Sequence, residues 1–515
     1  MSGLQADPLK LADSQMWHSD CFKYRTRVQA ENAEKRILPP VKRGASQHFL
    51  YLLQDLLRPK SPKTKSLSVS LTANQNGRKA HDDARSDSRS IQEQLKHRGQ
   101  QTMARRALVL IEGTTNNGPR YIEAAKRLGL HPITLSADPA QYSYLAAESN
   151  EAIHVDTRNQ DALIHENARL RATYDIAGIT SPQEAVYAAV GMLCRHFNLP
   201  GPNPTSVERC RDKFTQRRLL AGAGVPVPTY RLAANATEVE SAAADIGLPV
   251  VLKPVVGTGS SGVRLCRTVD ELARYTVCLF GAKDMWRSSP RILVEEFAQG
   301  RYYCAHLMGN ELIGIAAATF GAPPHFVFRE SIFPAPLTDG DNRRIADVSL
   351  SCLRALDLGW GPTNIEFRWT KRGPVVIEVN PRLSAGPHSI QAAYGIDPIT
   401  EHIKLVIGDK LDLRRKRSHT AAWRSLIPDR DGVLEWLDGE SRAAAVPGVT
   451  EVRLFVTPKT RIVRKGDYRD SIGYVMAASP GHAQTAAILQ RAVDLIDWSI
   501  TPFSDSWRTG TISGP

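Results

Sequence analysis

The chain has 515 residues, enough for about three or four domains of ordinary size. Hydrophobic residues make up 42% and charged residues 23% of the chain, close to the averages of globular proteins, which excludes a fibrous repeat and disorder throughout. The net charge is +13 at pH 7, but residues 1–102 alone contain 18 Lys and Arg against 10 Asp and Glu. Because the basic excess lies mainly in this extension, we predict no nucleic-acid binding by the folded part.

The most apolar runs do not predict a membrane segment. Residues 107–111 and 375–379 are far shorter than the ~20 apolar residues that a transmembrane helix needs. Aspartates interrupt the first thirty residues, which therefore do not resemble a secretory signal. The seven cysteines are widely spaced and contain no C-x-x-C pair, so we expect reduced thiols rather than disulfides or a zinc site. Together these features predict a cytoplasmic protein that does not contact membranes.

Residues 1–102 form a basic extension with weak hydrophobic periodicity. The polar run at 61–101 is rich in Ser, Lys, Arg, Asn and Gln, which predicts disorder. The segment 48–57 could form a short amphipathic helix that binds a partner, although a segment without a function is the simpler interpretation. Because Met103 directly precedes the first predicted strand, one hypothesis is that translation begins there. An intact peptide from residues 1–100 in the native protein would contradict it.

From residue 107 the pattern changes to short apolar runs that alternate with helical segments. Runs at 107–111, 132–136 and 175–180 predict strands, and 119–128 predicts a helix. This alternation predicts a doubly wound α/β domain with a mainly parallel sheet at 103–207. The run G-T-T-N-N-G after the first strand is not the G-x-G-x-x-G fingerprint, so we do not predict a dinucleotide site.

Two lysines about forty residues apart precede the strongest motif of the chain. Lys213 follows Arg-Asp and begins a predicted helix, and Lys253 ends an apolar, β-branched run. Small residues follow directly after Lys253, and small residues let backbone N–H groups approach an anion closely. The lysine before this run favours a phosphate-covering loop over a plain turn. Its residues are Gly257, Thr258, Gly259, Ser260, Ser261 and Gly262.

Carboxylates on two later strands predict a cation site. Side chains two apart in a strand share a face, so Glu378, Asn380 and Arg382 should point together, and Glu366 can join them through a hairpin. Carboxylate and amide oxygens suit Mg²⁺ bridging nucleotide phosphates, and Mn²⁺ accepts the same donors. The arginine offers fixed donors for a phosphoryl or carboxylate oxygen. A surface hairpin with alternating acids is the alternative if this signal is considered alone.

The ordered motifs resemble the ATP-grasp superfamily over about residues 105–500. They are D-K at 212–213, A-G-V-P-V-P at 223–228, L-K-P at 252–254 with the glycine-rich loop behind it, V-E-E-F at 294–297 and I-E-V-N-P-R at 377–382. The resemblance implies an N-terminal α/β (pre-ATP-grasp) domain, an ATP-grasp domain at 208–415 with a lid subdomain at about 229–295, and a C-terminal α+β lobe at 416–515.

The same resemblance implies a role for each motif. ATP would be held with Lys213 and Lys253 on its phosphates, the glycine-rich loop above them, and the strand of Glu295, Glu296 and Phe297 beside adenine. Mg²⁺ would be held by Glu366, Glu378 and Asn380, and Arg382 together with Lys253 would act in catalysis. One departure concerns the ribose: many members have an acid seven residues after the position of Glu295, and this chain has Tyr302 there.

A narrower set of motifs resembles the bacterial L-amino acid ligases. It includes P-P-H-F at 323–326, W-G-P at 360–362, N-P-R-L-S-A-G at 380–386 and R-D-S-I-G-Y at 469–474. This resemblance implies an ATP-dependent carboxylate-amine ligase that forms dipeptide-like products through an acyl phosphate, in a group whose members are often homodimers. Candidate substrate contacts are Glu330 for an ammonium group, His325 or Arg329 for a carboxylate or a proton, and Gly386 for space beside the acceptor.

Two alternatives remain open at this point. The first is an ATP-grasp enzyme that uses bicarbonate or a metabolic acid in place of an amino acid; the chain has no biotin-carrying A-M-K-M segment. The second is a nucleotide-binding protein without catalysis, against which the complete set of Lys253, Glu366, Glu378, Asn380 and Arg382 argues.

Overall fold

The computed structural model describes residues 104–146, 150–282, 290–384 and 386–503. The predicted disordered extension at 1–102, its segment 48–57 and the hypothesis about Met103 lie outside these residues. None of the described helices combines the length and the apolar character that crossing a bilayer requires.

The first unit is a four-stranded parallel sheet in the order β3-β2-β1-β4. Alternate residues of β1 belong to two different cores, Ala107 and Val109 on one face and Leu108 and Leu110 on the other. Helices therefore cover both faces, as expected for a parallel sheet. Strand β3 was not predicted, because it is short and none of its residues is fully buried. The elements are β1 (Arg106–Ile111), α1 (Gly118–Arg127), β2 (His131–Ser136), β3 (Glu151–His154), α2 (Gln160–Arg171), β4 (Asp175–Thr180) and α3 (Tyr187–His196).

Two short helices lead into a small antiparallel sheet with the order β5-β8-β6-β7. Two further helices pack on one face of this sheet and form a separate apolar core with it. This unit covers the range predicted as a lid subdomain. Its elements and the preceding helices are α4 (Pro204–Arg211), α5 (Lys213–Gly222), β5 (Tyr230–Ala233), α6 (Ala236–Ile246), β6 (Val250–Pro254), β7 (Arg264–Cys266), α7 (Val269–Gly281) and β8 (Ile292–Glu296).

The largest sheet has eight antiparallel strands in the order β13-β12-β9-β10-β11-β14-β18-β16, in which β14 is Thr420–Leu426, β16 is Val449–Leu454 and β18 is Gly473–Ser479. It is continuous from the predicted ATP-grasp domain into the predicted C-terminal lobe, because β11 pairs with β14. The strands of its first part, with the helices between and after them, are β9 (Arg301–Met308), β10 (Glu311–Phe320), β11 (Phe328–Phe333), α8 (Asp339–Leu356), β12 (Pro362–Thr370), β13 (Gly373–Asn380), α9 (Pro387–Tyr394) and α10 (Pro398–Val406).

The remaining elements complete this sheet and add a three-stranded sheet in the order β17-β15-β19. Helix α12 packs on β14 and β18, and its Leu489 and Ala492 lie in the core of this lobe. These elements are β14 (Thr420–Leu426), β15 (Gly432–Asp438), α11 (Glu440–Ala444), β16 (Val449–Leu454), β17 (Arg461–Ile462), β18 (Gly473–Ser479), α12 (His482–Val493) and β19 (Asp497–Thr501).

The large sheet separates a core from a polar face. Along β12, Ile365 and Phe367 point into the core beneath α8, so Glu366 between them points to the opposite face. Strands β12 and β13 pair in a register that places Glu366 directly opposite Glu378. The two predicted carboxylates therefore share one face of the hairpin.

Candidate active site

The two predicted lysines are buried, and each has a carboxylate partner. Lys213 begins α5, and its Nζ lies 2.7 Å from Glu378 Oε1 and donates a 2.7 Å hydrogen bond to the carbonyl of Gly257. Lys253 lies in β6 and forms an ion pair with Glu295. Since Lys213 binds both a carboxylate of β13 and the start of the glycine-rich loop, it joins the two parts of the predicted nucleotide site.

Glu295 is the centre of a buried charge cluster. Its side chain is 3% exposed, and it accepts a 2.6 Å hydrogen bond from Nε of Arg217 as well as pairing with Lys253. Burial would raise the pKa of Glu295, but the two cations outweigh it and hold the pKa below its usual range. Burial lowers the pKa of Lys253, while Glu295 opposes that shift. Two cations and one anion leave this cluster with an excess positive charge, as a phosphate-binding site requires.

Arg217 was not predicted from the sequence. It lies four residues after Lys213 on α5, so the two side chains share one face of that helix. Its guanidinium also donates to the carbonyl of Ile377 on β13 and to Gln216. The i, i+4 spacing of two basic residues was the available signal, although such a pair on a surface helix has no special meaning by itself.

The strand predicted to border adenine divides its side chains among three environments. Glu295 faces Lys253, whereas Glu296 bonds to Arg372 at 2.8 Å and to Thr229. Phe297 packs near Phe326 in a small apolar cluster. The adenine contact at this strand stays a prediction.

Glu366 and Glu378 form the polar centre of the hairpin. Tyr302 on β9 donates a hydrogen bond to Glu366, and the amide of Asn380 donates another at 3.3 Å. Burial and the charge of Glu378 raise the pKa of Glu366 to about 7. Burial would likewise raise the pKa of Glu378, but Lys213 outweighs it and holds the pKa below its usual range. Tyr302, noted from the sequence as a departure at the ribose position, therefore belongs to the carboxylate pair.

The donors at this hairpin fit a hard divalent cation whose remaining ligands would be phosphate oxygens. Among the described residues, no group of three or more His, Cys, Asp and Glu side chains could hold a metal ion. At this hairpin the protein offers two carboxylates, those of Glu366 and Glu378. Asn364 lies opposite Asn380 in the register, and its buried Oδ1 has no hydrogen-bond partner among the described residues. Two carboxylate groups and an unpartnered amide oxygen are the hard ligands that Mg²⁺ prefers. Glu366, Glu378 and Asn380 stay the predicted ligands, and Asn364 is an additional donor beside them.

Arg382 follows β13 and is held by a carboxylate from the N-terminal sheet unit. Its Nε donates a 2.6 Å hydrogen bond to Glu184, and its Nη1 donates to the carbonyl of Leu383 at 3.0 Å. Burial would lower the pKa of Arg382, but the charge of Glu184 outweighs burial and raises the pKa above its usual value. A small cavity beside this pair is lined by Asn117, Tyr121 and the 181–184 segment. Glu184 was not predicted; its position shortly after β4, at the carboxyl end of a parallel strand, is where ligand contacts are common.

Comparisons with known proteins identify the family of this chain. Residues 212–414 match the family model of the ATP binding domain of the carbamoyl-phosphate synthase L chain, and residues 424–501 match the model of L-amino acid ligase C-terminal domain 2. An uncharacterized protein of Sinorhizobium fredii, y4rH, is 59% identical over 403 residues, which cover 78% of this chain and 84% of that protein. The chain belongs to the ATP-grasp family of carboxylate-amine ligases. The family predicted from the motifs is thereby confirmed.

More distant relatives agree on the fold. Carnosine synthase 1 of Homo sapiens is 25% identical over 331 residues, covering 58% of this chain and 39% of that protein. The crystal structure of an L-amino acid ligase from Bacillus licheniformis superposes with a TM-score of 0.66 at 19% identity, covering 78% of this chain and all of the other. The predicted ATP-grasp fold, with a parallel sheet at the N-terminal side and an antiparallel sheet in the C-terminal lobe, is confirmed.

The glycine-rich loop of this ATP-grasp ligase contacts the C-terminal lobe. We call residues 257–262 the phosphate loop and residues 465–470 the contact segment. Tyr468 donates a backbone hydrogen bond of 3.3 Å to Gly259, and Ser261 donates a 3.0 Å hydrogen bond to the buried carboxylate of Asp467. Gly259 has a positive φ of 62°, and a Cβ there would lie 2.2 Å from the ring of Tyr468. The position of the phosphate loop therefore depends on a segment about two hundred residues away.

Replacing Gly259 by alanine tests this contact. The added methyl group collides with Tyr468 and displaces the phosphate loop, so we expect the KM for ATP to rise about tenfold, since 1.4 kcal/mol corresponds to that factor. The measurement is ADP formation at varied ATP concentration.

Gly224→Ala is the matched control for the phosphate-loop variant. Gly224 has a similar positive φ of 73° but nothing within 4 Å of the added Cβ. We expect this control to leave the KM for ATP unchanged. Combining Gly259→Ala with Tyr468→Ala should reverse part of the rise in the KM for ATP that Gly259→Ala causes. An equal effect of the two single variants would assign the loss to backbone strain and not to the contact.

The four candidate substrate residues lie in different surroundings. Glu330 is paired with Arg424 at 2.7 Å. Its neighbour Ser331 pairs with Ala318 of β10, which in turn pairs with Tyr302 of β9. Paired residues share one face of a sheet, and Tyr302 bonds to Glu366, so Ser331 lies on the face of Glu366. Glu330 therefore points to the opposite face. The structure thus brings Glu330 to the side of α12 and not into the active site. Sequence spacing could not reveal this, because the face of a strand depends on its register.

The other three candidates have separate local contacts. Arg329 lies at an irregularity in the pairing of β10 and β11, with its guanidinium near Gly321. His325 packs against Gly466 of the contact segment. Gly386 precedes α9, and its Cα hydrogens face the indole nitrogen of Trp423 and the hydroxyl of Ser389. Their contacts with substrates stay predictions.

Proposed function

We propose that this ATP-grasp ligase activates a substrate carboxylate as an acyl phosphate and joins it to an amine, with L-amino acids as both substrates. The products are an amide, ADP and phosphate. The assignment to amino acids draws on the match of residues 424–501 to the L-amino acid ligase domain. It also draws on the resemblance to carnosine synthase 1, which is 25% identical to this chain over 331 residues.

One observation carries the proposal: anion-binding cations and cation-binding carboxylates converge on one hairpin. Lys213 contacts Glu378 directly. Lys253 shares Glu295 with Arg217, and Arg217 donates to the carbonyl of Ile377, the residue before Glu378 on β13. Arg382 in turn connects this group to Glu184 at the N-terminal unit. Nucleotide phosphates, a divalent cation and a substrate carboxylate can therefore meet within reach of a single set of side chains.

In the first step the substrate carboxylate attacks the γ-phosphorus of ATP, and the bond to the bridging oxygen of ADP breaks. Lys213 and Lys253 bind the phosphates, and their fixed ion pairs orient both ammonium groups before the reaction. Arg382 binds the oxygens of the carboxylate or of the transferring phosphoryl group, because its guanidinium is held in place by Glu184. Bound Mg²⁺ would supply charge neutralisation on the phosphate oxygens, held by Glu366, Glu378 and the amide oxygen of Asn380.

In the second step the amine nitrogen attacks the acyl carbon, the carbon–oxygen bond to phosphate breaks, and the released phosphate takes up the proton that the amine loses. Arg382 stabilises the negative charge that develops on the oxygens of the tetrahedral intermediate. The phosphate loop, positioned by the contact segment, keeps water from the acyl phosphate, which would otherwise be hydrolysed. Opening and closing of this loop would then admit ATP and release ADP.

The direct test is phosphate release from ATP across a matrix of amino acids, other acids and amines, with products identified by mass. We expect release to require an amino-acid pair and a dipeptide mass to appear in the same reactions. Release with bicarbonate in place of an amino acid would support an ATP-grasp carboxylase instead. No release under any condition, with ATP binding retained, would support a nucleotide-binding protein without catalysis.

A further inference from the structure

A second polar cluster lies where the N-terminal unit meets the edge strand of the large sheet. Strand β16 presents Glu451 and Arg453, which are two residues apart and share one face. Opposite them, Arg120 lies on α1, and Asn116 lies in the loop before that helix. We call Arg120, Glu451, Arg453 and His388 the edge cluster. None of these residues was predicted from the sequence to have a function.

The edge cluster contains one unneutralised cation. Arg120 Nη2 bonds to Glu451 Oε1 at 2.6 Å, so this pair is neutral. Arg453 instead donates to Asn116 Oδ1 at 3.1 Å and to the carbonyl of Thr115 at 2.8 Å. Among the described residues, no carboxylate lies within ion-pair distance of Arg453. The cluster therefore carries one excess positive charge, which suits a ligand with a single anionic group.

A buried polar atom without a partner lies beside this charge. His388 on α9 is 6% exposed, and its Nδ1 has no hydrogen-bond partner among the described residues. Burial, with a smaller effect of Arg120, lowers the pKa of His388 to about 4, so its ring is neutral at pH 7. Tyr474 links this ring to Arg453, because it stacks on His388 and lies opposite Arg453 on the neighbouring strand. A buried nitrogen of this kind usually has a ligand or a water as its partner.

The loop that contacts Arg453 also lines the cavity beside Arg382. Tyr474 lies opposite Arg453 in the register of β16 and β18, and its ring stacks on His388 with a centroid distance of 5.9 Å. Asn117, next to Asn116, lines the cavity that also contains Arg382 and Glu184. The buried Oδ1 of Asn117 likewise has no partner among the described residues. The loop that accepts a hydrogen bond from Arg453 at Asn116 therefore also contributes its next residue to the cavity at Arg382.

We infer that the edge cluster binds the amine substrate and that Arg453 pairs with a carboxylate on it, so that the acceptor is an amino acid and not a simple amine. This inference rests on the proposed function. His388 Nδ1 and Asn117 Oδ1 provide hydrogen-bonding positions for the amine end. The neutral Arg120 and Glu451 pair joins α1 to β16 beside the site, and Arg453 keeps only neutral hydrogen-bond partners among the described residues, so its charge can pair with the carboxylate.

The test compares wild-type protein with Arg453→Met, using two nucleophiles for the same acyl phosphate. Hydroxylamine is small and has no carboxylate, so it reports activation and transfer without the edge cluster. We expect Arg453→Met to raise the KM for an acceptor amino acid about 10- to 100-fold, the loss typical of a charged hydrogen bond. Hydroxamate formation and the KM for ATP should stay within twofold. Arg453→Lys should recover part of the acceptor affinity, because it keeps the charge.

Two controls complete the experiment. Arg442→Met removes an exposed arginine of the same lobe, and it should change none of these quantities. In wild-type protein, an amino-acid amide should be a poorer acceptor than the amino acid itself, and Arg453→Met should abolish that preference. An unchanged acceptor KM in Arg453→Met, with the preference kept, would overturn the inference alone. Absence of hydroxamate with any carboxylate in wild-type protein would instead overturn the proposed function.

Discussion

Replacing Glu378 by glutamine is expected to reduce kcat/KM for ATP-dependent turnover at least about 1000-fold, equivalent to about 4 kcal/mol. The substitution keeps the size of the side chain but removes a charge that pairs with Lys213 at 2.7 Å and lies opposite Glu366. Loss of this charge weakens cation binding and leaves the lysine without its carboxylate. The measurement is ADP formation at varied ATP concentration and saturating Mg²⁺, with the melting temperature recorded for both proteins.

Glu330→Gln is the matched control for this variant. It is the same chemical change in a strand of the same sheet, but Glu330 is paired with Arg424 on the opposite face. We expect turnover to stay within about twofold, since a partly exposed ion pair contributes at most about 1 kcal/mol to stability. More than a tenth of wild-type turnover in Glu378→Gln would refute the assignment of this carboxylate to the cation site. A large loss in Glu330→Gln would restore that residue as a substrate contact.

Replacing Glu295 by glutamine should give the largest loss of stability among single charge-neutralising changes near the site. Arg217 and Lys253 would then be buried together without an anion, and an uncompensated buried charge costs about 3 to 5 kcal/mol. The loss should appear as a lower urea midpoint with an unchanged slope. ATP binding should weaken as well, because Lys253 loses the partner that orients it.

The neighbouring residue provides the control for this stability prediction. Glu296→Gln alters the same strand one residue later, where the carboxylate is about one-third exposed and bonds to Arg372. We expect a change below about 1 kcal/mol. The combination of Glu295→Gln with Arg217→Met should cost less than the sum of the single changes, because it removes a cation together with its anion. Additive losses would show that the three charges do not act as a unit.

Several parts of this protein follow from the sequence by itself. The strands at 107–111, 132–136 and 175–180 agree with β1, β2 and β4 to within one residue at each end, because a strand buried on both faces is a continuous apolar run. The motif at Lys253 predicts the nucleotide site, since the small residues and the charge that phosphate binding requires are adjacent in the sequence. Period-two spacing placed Glu378 and Asn380 on one strand, and the short hairpin turn brought Glu366 beside them.

Tertiary structure alone decided which partners these residues have. Lys253 pairs with Glu295 because β6 and β8 are adjacent, and Glu184 reaches Arg382 from a different unit almost two hundred residues away. The register of β11 turned Glu330 away from the site, although its sequence position suggested a substrate contact. The physical reason is common to these cases. Local spacing determines how a side chain points relative to its own strand or helix, but charge pairing and burial depend on which distant segments pack against it.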